Sequence, residues 1–326
     1  MAAWLPSIPY PPEQEGYWAP ITATLDWCEE NYYATQYSAE IVNSMTNLLF
    51  AYLAIKGISN CIINGHDRIF IVSFLGYLVV GVGSFLFHST LKYPMQLIDE
   101  LSMIYTTCIM FYATFAHNKS TRYITILAGS LITLSVSITA YYHYLKDPIF
   151  HQVVYAILTA IVLIRALYVM EINIRPSLRM KETALRSDSA DSDTKPRTRN
   201  EQRRIDDRDA KILRTMWIMI AYGLSAFLGG FAVWNLDNVF CPTLRTWRRK
   251  VGLPWGILLE GHGWWHLMTG IGAYYYIVWG IWLRHCLNHK QDDYELYWPR
   301  LLTSMPSVVR KRGHNQAAIA NGKKKR

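Results

Sequence analysis

The chain has 326 residues, of which 51% are hydrophobic and 17% charged, with a net charge of +9. That average hides a division into long apolar runs and short polar punctuation, the pattern of a polytopic membrane protein rather than of a water-soluble domain. The cations flank the apolar runs with no zinc finger, helix-turn-helix or aromatic RNA-binding signature, which argues against a nucleic-acid partner and favours anionic lipid headgroups.

Residues 1–36 carry five acidic side chains (Glu13, Glu15, Asp26, Glu29 and Glu30) and no Lys or Arg. No basic segment leads into an apolar run with a small-residue cleavage site, so no removable signal peptide is expected and the first helix serves as an uncleaved anchor. The positive-inside rule places this segment in the lumen. Seven stretches are long and apolar enough to span, roughly 38–58, 69–89, 97–116, 123–142, 150–170, 216–240 and 257–283. The fold class expected is all-α, a seven-transmembrane helix bundle with a lumenal N-terminus and a cytoplasmic C-terminus. Its domains are a lumenal segment 1–36, a membrane domain 37–285 and a basic cytoplasmic tail 286–326. Against this topology, Arg245, Arg248, Arg249 and Lys250 fall on a loop that would face the lumen.

Residues 177–211 mix Ser, Asp, Lys and Arg with few apolar side chains and read as a disordered cytoplasmic insertion. Ser187, Ser189 and Ser192 there are open to phosphorylation, with an inert linker as the alternative. The chain ends Lys323, Lys324, Lys325, Arg326, like a dilysine retrieval signal recognised by coat proteins. That places the protein in the endoplasmic reticulum membrane or the early Golgi; the alternative is a tail that merely touches anionic lipid.

Ionisable groups inside spans mark a site or a satisfied pair. His262 and His266, four apart, share one helix face, as do Ser84 and His88 at the end of the second span. No Glu stands between the two histidines, so this is not the zinc-protease motif. Pro94 suits a first helical turn, which brings Asp99 back into the membrane at the depth of His88. The second span runs toward the lumen and the third and seventh away from it, so His88, Asp99, His262 and His266 all fall at the lumenal end. Three neutral imidazoles with one open position suit a catalytic zinc, which acidifies water and polarises a carbonyl. Asp99 then moves protons and Ser84 donates to the developing oxyanion, although Asp99 could serve only to orient an imidazole and Ser84 only to let helices pack closely. Asp26, Glu29, Glu30 and Asn31, with Glu40 beyond, offer hard oxygens that suit Ca²⁺, but without EF-hand spacing they equally describe a solvated acidic loop. Cys28 and Cys241 are the two cysteines on the lumenal side, where pairing and two free thiols both stand open.

In order along the chain, several motifs resemble the alkaline ceramidases, within the seven-helix membrane hydrolases that include the adiponectin and progestin receptors. They are Gly16-Tyr17-Trp18, Thr24-Leu25-Asp26-Trp27-Cys28-Glu29-Glu30-Asn31, Phe87-His88-Ser89-Thr90-Leu91-Lys92-Tyr93 and Gln96-Leu97-Ile98-Asp99-Glu100-Leu101. Asp147-Pro148-Ile149-Phe150-His151-Gln152, Trp234-Asn235-Leu236-Asp237-Asn238 and His262 with Trp264-Trp265-His266 complete the series, which runs from about residue 16 to about 285. The resemblance implies zinc on His88, His262 and His266, with Ser84 and Asp99 catalytic. It also implies calcium on Asp26, the Trp27 carbonyl, Glu29, Asn31 and Glu40, and a disulfide from Cys28 to Cys241. The implied reaction cleaves the ceramide amide to a sphingoid base and a free fatty acid. The polar insertion, similar to that of fungal members, favours phytoceramide or dihydroceramide. Two other readings compete: a lipid-responsive receptor of the same architecture, and a metal-free proton-coupled transporter whose buried His and Asp relay protons, which would need a continuous polar path where this chain concentrates its polar groups at one end.

Overall fold

A computed structural model describes residues 6–178, 198–301 and 303–311. The first helical segment is broken in two, α1 (Ile41–Thr46) and α2 (Leu48–Asn64), at the buried Asn47. Gly65, at φ 66°, ends α2, and the Asp67 carboxylate accepts from the Ile69 amide to start α3 (Arg68–Thr90). A tight turn through Leu91 leads to α4 (Tyr93–Phe115), with Pro94 in its first turn as expected. Ser120 caps α5 (Thr121–Leu145), and Asp147 caps α6 (Pro148–Ile174). The 41-residue α7 (Arg199–Val239) is followed by α8 (Cys241–Val251), a short 3₁₀ turn (Trp255–Leu259) and α9 (Gly261–Leu287). Strands β1 (Tyr294–Tyr297) and β2 (Ser307–Arg310) then pair antiparallel, with Tyr294 opposite Arg310.

All seven expected segments are helical, and five are long and apolar enough to cross a membrane: α1 with α2, α3, α5, α6 and α7. The large side chains they turn outward, such as Ile126, Ile132 and Val136 on α5 and Ile164 on α6, suit a hydrocarbon solvent. The protein is therefore a multi-pass membrane protein. Helices α4 and α9 span 23 and 27 residues but are diluted by polar groups: Gln96, Asp99 and Glu100 on one, His262 and His266 on the other. Packing compensates for that dilution. α9 sits at the centre, against α7 and touching α1, α2, α3 and α6, with its inner length buried from Tyr274 to Cys286. The core around it includes Phe50, Leu53, Phe74, Tyr77 and Trp279, and the Tyr77 hydroxyl donates to the Gly270 carbonyl at 2.8 Å.

Three expectations change. The stretch expected to be disordered is helical from Arg199 onward. There the Thr198 hydroxyl caps α7, and pairing of Arg208 with Asp209 and Asp292 fastens this polar turn to the chain beyond α9. Residues 179–197, with Ser187, Ser189 and Ser192, lie outside the described residues, as do the terminal lysines. Second, the fold is not purely α. The segment read as a basic tail forms the β hairpin, because His66 at the α2–α3 turn bonds both the Val308 carbonyl (3.0 Å) and His285 (2.8 Å), and His285 stacks on Tyr294. Third, the cationic loop before α9 is a helix in which three of the four cations are engaged by the N-terminal segment and Glu260. Arg248, fully buried, pairs with Glu260 and Glu30, and Arg245 donates to the carbonyls of Trp27, Cys28 and Glu29. These cations are therefore not free loop charges of the kind the positive-inside rule counts.

Candidate functional site

The site forms where the end of α3, the start of α4, the start of α9 and α1 meet. One turn of α9 separates His262 from His266, and the last turn of α3 supplies His88. Their ligand atoms lie within 4.8 Å of one another and the ring centroids 4.6–4.9 Å apart, with all three residues buried. Among the described residues, no other group of three His, Cys, Asp or Glu side chains converges in this way.

Each ring is held from behind. Glu40, just before α1 and fully buried, pairs with His88 Nδ1, while its carboxylate also accepts from the Trp27 amide (3.1 Å) and the Asn43 side chain (3.2 Å). His266 Nδ1 meets Thr46 Oγ1 at 3.1 Å and Asn47 Nδ2 at 3.3 Å. Those contacts leave the Nε2 atoms of His88 and His266 for the centre of the cluster. His262 Nδ1 is buried with no hydrogen-bond partner, and Asp237 fixes its helix by accepting from the Gly261 amide at 3.1 Å. Three mutually facing imidazoles, two oriented through Nδ1 and one with an orphaned nitrogen, match the donor set of a zinc site and leave a cation the natural way to satisfy it.

Ser84 lies one turn before His88 on α3. Its Oγ accepts from Asn47 Nδ2 at 2.9 Å and stands 3.5 Å from His266 Nε2. The Asp99 carboxyl lies beside the Ser84 hydroxyl. Gly83 makes that approach possible: a Cβ there would stand 3.0 Å from Ile98 Cγ2 and 3.1 Å from the Asp99 amide nitrogen. Behind Asp99, Glu100 accepts from Tyr142 and from Gln96 Nε2 (3.1 Å), and its carbonyl bonds His151 Nε2 at 2.8 Å.

The acidic segment packs against α1 rather than lying free in solvent. Glu29 caps α1, accepting from the amides of Val42 (2.7 Å) and Asn43 (2.9 Å), and Asn31 Nδ2 donates to Asp26 at 3.1 Å. Burial, with Glu40 nearby, pushes the Glu29 carboxyl up to about 8. Asn31 Oδ1 is buried without a partner. Cys28 and Cys241 form a disulfide, with Cα atoms 5.4 Å apart, that ties this segment to the start of α8. Sequence reasoning placed Glu40 with the acidic loop alone and did not find its bond to His88, nor Thr46 and Asn47 behind His266. The polar run Glu40, Asn43, Ser44, Thr46, Asn47 at the head of an apolar span was the available signal.

Residues 19–309 match the ceramidase family. Alkaline ceramidase 3 of Mus musculus is 35% identical over 274 residues, covering 83% of this chain and 88% of the mouse protein. An alkaline ceramidase of Saccharomyces cerevisiae is also 35% identical, over 288 residues, 87% of this chain and 83% of the yeast protein. An alkaline ceramidase of Arabidopsis thaliana is 22% identical over 79% of this chain and 82% of its own length. With the family matched across nearly the whole chain, and two relatives above 30% identity over most of their length, the chain belongs to the ceramidase family.

Proposed function

We propose that this protein is a zinc-dependent intramembrane amidase that hydrolyses ceramide, phytoceramide or dihydroceramide above all, to a sphingoid base and a free fatty acid. The observation that carries the reading is the convergence of His88, His262 and His266 in a chain of this family. Zinc on these three imidazoles supplies a Lewis acid for the amide carbonyl and acidifies water. Glu40, Thr46 and Asn47 hold the rings in the ligating tautomer. Ser84 Oγ accepts from Asn47 and its proton faces the Asp99 carboxyl, so the hydroxyl turns from Asp99 to donate to the amide oxygen as negative charge develops there. Asp99, beside it, takes the proton from the attacking water and returns it to the leaving amine nitrogen.

A calcium ion on Asp26, the Trp27 carbonyl, Glu29, Asn31 and Glu40 would offset the burial and the Glu40 repulsion that together raise the Glu29 carboxyl and would satisfy Asn31 Oδ1. In the membrane, α4 and α9 join the five apolar helices as spans, giving seven crossings with residues 1–36 lumenal and the tail after residue 285 cytoplasmic. The protein then resides in the endoplasmic reticulum membrane or the Golgi, with the terminal lysines open to coat proteins and the basic flanks against anionic lipid.

The test is the full chain purified in detergent, assayed for hydrolysis of phytoceramide and dihydroceramide and for bound zinc, beside His262→Ala and Asp99→Ala. Stoichiometric zinc lost in His262→Ala, with turnover lost in both, is the expected result. Zinc without turnover of any ceramide would favour the receptor reading, and a folded sample without zinc would overturn the site.

A further inference from the structure

At the end of the bundle opposite the imidazoles, a groove of about 520 Å³ opens between the N-terminal turns of α7, the β hairpin and the end of α9. From His266 to Trp282 the helix rises about 24 Å, at 1.5 Å per residue, so this groove is separate from the hydrolytic site. Its volume lies within the range of about 300–1,000 Å³ usual for small-molecule sites.

Arg204, Lys211 and Lys311 bring three cations to the groove, and none of them is in an ion pair among the described residues. Arg208 also lines it, but its guanidinium is held by Asp209 and Asp292. Asp207 and Glu295 lie on the rim as well, so the cations outnumber the acids at the groove.

A second and independent feature is an unmatched donor among the residues that line the groove. Trp282 is 5% exposed, and its indole Nε1–H is buried with no acceptor. An indole can only donate, and a buried donor without an acceptor is costly unless something else supplies one. Gln291 Oε1, also lining the groove, is buried and lacks a donor. A ligand with anionic oxygens and at least one hydroxyl completes all of these groups together.

We propose that this groove binds a phosphate group, with Arg204, Lys211 and Lys311 around the oxyanion and Trp282 Nε1–H donating to it. The phosphate comes either from the phosphorylated polyol headgroup of an anionic lipid or from soluble phosphate. The lipid source has the geometry in its favour, since the turns of α7 that carry Arg204 and Lys211 directly precede its apolar stretch, where a headgroup lies. Gln291 then accepts from a headgroup hydroxyl. Nothing in this site depends on the hydrolytic reading.

The experiment titrates the full chain in detergent with dioctanoyl phosphatidylinositol 4-phosphate, dioctanoyl phosphatidylcholine and inorganic phosphate, following binding by native mass spectrometry. The inositol lipid should bind at least about ten-fold tighter than the choline lipid, and Lys211→Ala/Lys311→Ala should weaken it about ten-fold or more, the usual scale for losing charge-assisted contacts. Trp282→Phe removes the indole donor together with part of the ring and should weaken lipid binding about three- to ten-fold while a melt confirms that the variant is folded, deciding the matter if the double variant does not fold. Displacement of the lipid by inorganic phosphate, or binding of phosphate alone, assigns recognition to the ion itself. Lipid binding that millimolar phosphate leaves untouched assigns it to the headgroup. No binding of either phosphate probe, equal binding of the two lipids, or Trp282→Phe binding like wild type would overturn the proposal.

Discussion

Replacing Glu40 by glutamine changes the candidate centre without touching any of its three imidazoles. In the native chain the Glu40 carboxylate receives three donors: His88 Nδ1, the Trp27 amide at 3.1 Å and Asn43 Nδ2 at 3.2 Å. A glutamine has one acceptor oxygen. If it serves Trp27, its own NH₂ group confronts both the His88 and the Asn43 donors in a site that is fully buried. Leaving buried donors unmet costs about 1–3 kcal/mol, and His88 loses the partner that fixes its tautomer. Loss of a carboxylate behind a metal-bound histidine lowers metal affinity or activity by about 10–100-fold. Glu40→Gln should therefore hold zinc about 10–100-fold more weakly in a chelator competition and turn over ceramide correspondingly more slowly at limiting zinc, with excess zinc restoring part of the rate. A Glu40→Gln protein with wild-type affinity and turnover would refute the assignment of Glu40 to the His88 ring.

Three further outcomes are expected. Arg248→Ala removes the buried cation between Glu30 and Glu260, leaving Glu260 with the Tyr10 hydroxyl and Glu30 with the more exposed Arg249, and takes one of two arginine donors from the Cys28 carbonyl (2.6 Å), so its thermal melt in detergent should report a loss of about 3–5 kcal/mol; an unchanged melt would show that the charges are not mutually dependent. Gly83→Val drives a side chain into Ile98 and the Asp99 backbone, costing about 1–3 kcal/mol, and should reduce turnover by more than the fraction of protein unfolded, because Ser84 and Asp99 move apart. Burial lowers the pKa of His66 below its ordinary value, so it is neutral in the folded chain, where it faces His285, Asn60 and the Val308 carbonyl. The unfolded chain binds the extra proton below pH of about 6.5, so this contribution to stability is complete above that value and declines as pH falls through it. Amide hydrogen exchange at Val308–Arg310, corrected for intrinsic rate, should accelerate between pH 7.5 and 5.5 in wild type and by clearly less in His66→Gln, where the buried His285 alone is left to take up a proton on unfolding.

The parts of the fold legible in the sequence were those governed by local rules. Apolar length found the seven long apolar helical segments, though not the polar α8, Pro94 marked the first turn of α4, and the four-residue spacing of His262 and His266 put both rings on one face. The convergence of His88 with them followed from the direction in which successive helices run. What the sequence hid was settled by long-range contact. The cations around α8 look lumenal and unpaired until Glu30, Glu260 and the carbonyls beside Cys28 are brought to them. Residues 199–211 are as polar as a disordered linker, and become a helix because they continue an apolar one and are anchored through Arg208 to Asp292. Likewise the two four-residue strands are too short to be separated by pattern from ordinary loop, and rest on His66 and His285, which are distant in sequence.

The position of α9 has a mechanical consequence. It carries two of the three imidazoles, and with a side-chain envelope about 10–12 Å across, a ring nitrogen rides about 5–6 Å from the helix axis. A roll of only 10° would sweep that nitrogen about 1 Å sideways, twice the roughly 0.5 Å tolerance of a working catalytic geometry. The helix is gripped at both extremities: Asp237 takes the Gly261 amide at one, and His66 with Tyr294 grips His285 at the other. The small sheet beyond the last helix thus joins the neighbouring helices in resisting such a roll, holding one end of the shaft whose other end aims two imidazoles that the hairpin itself never touches.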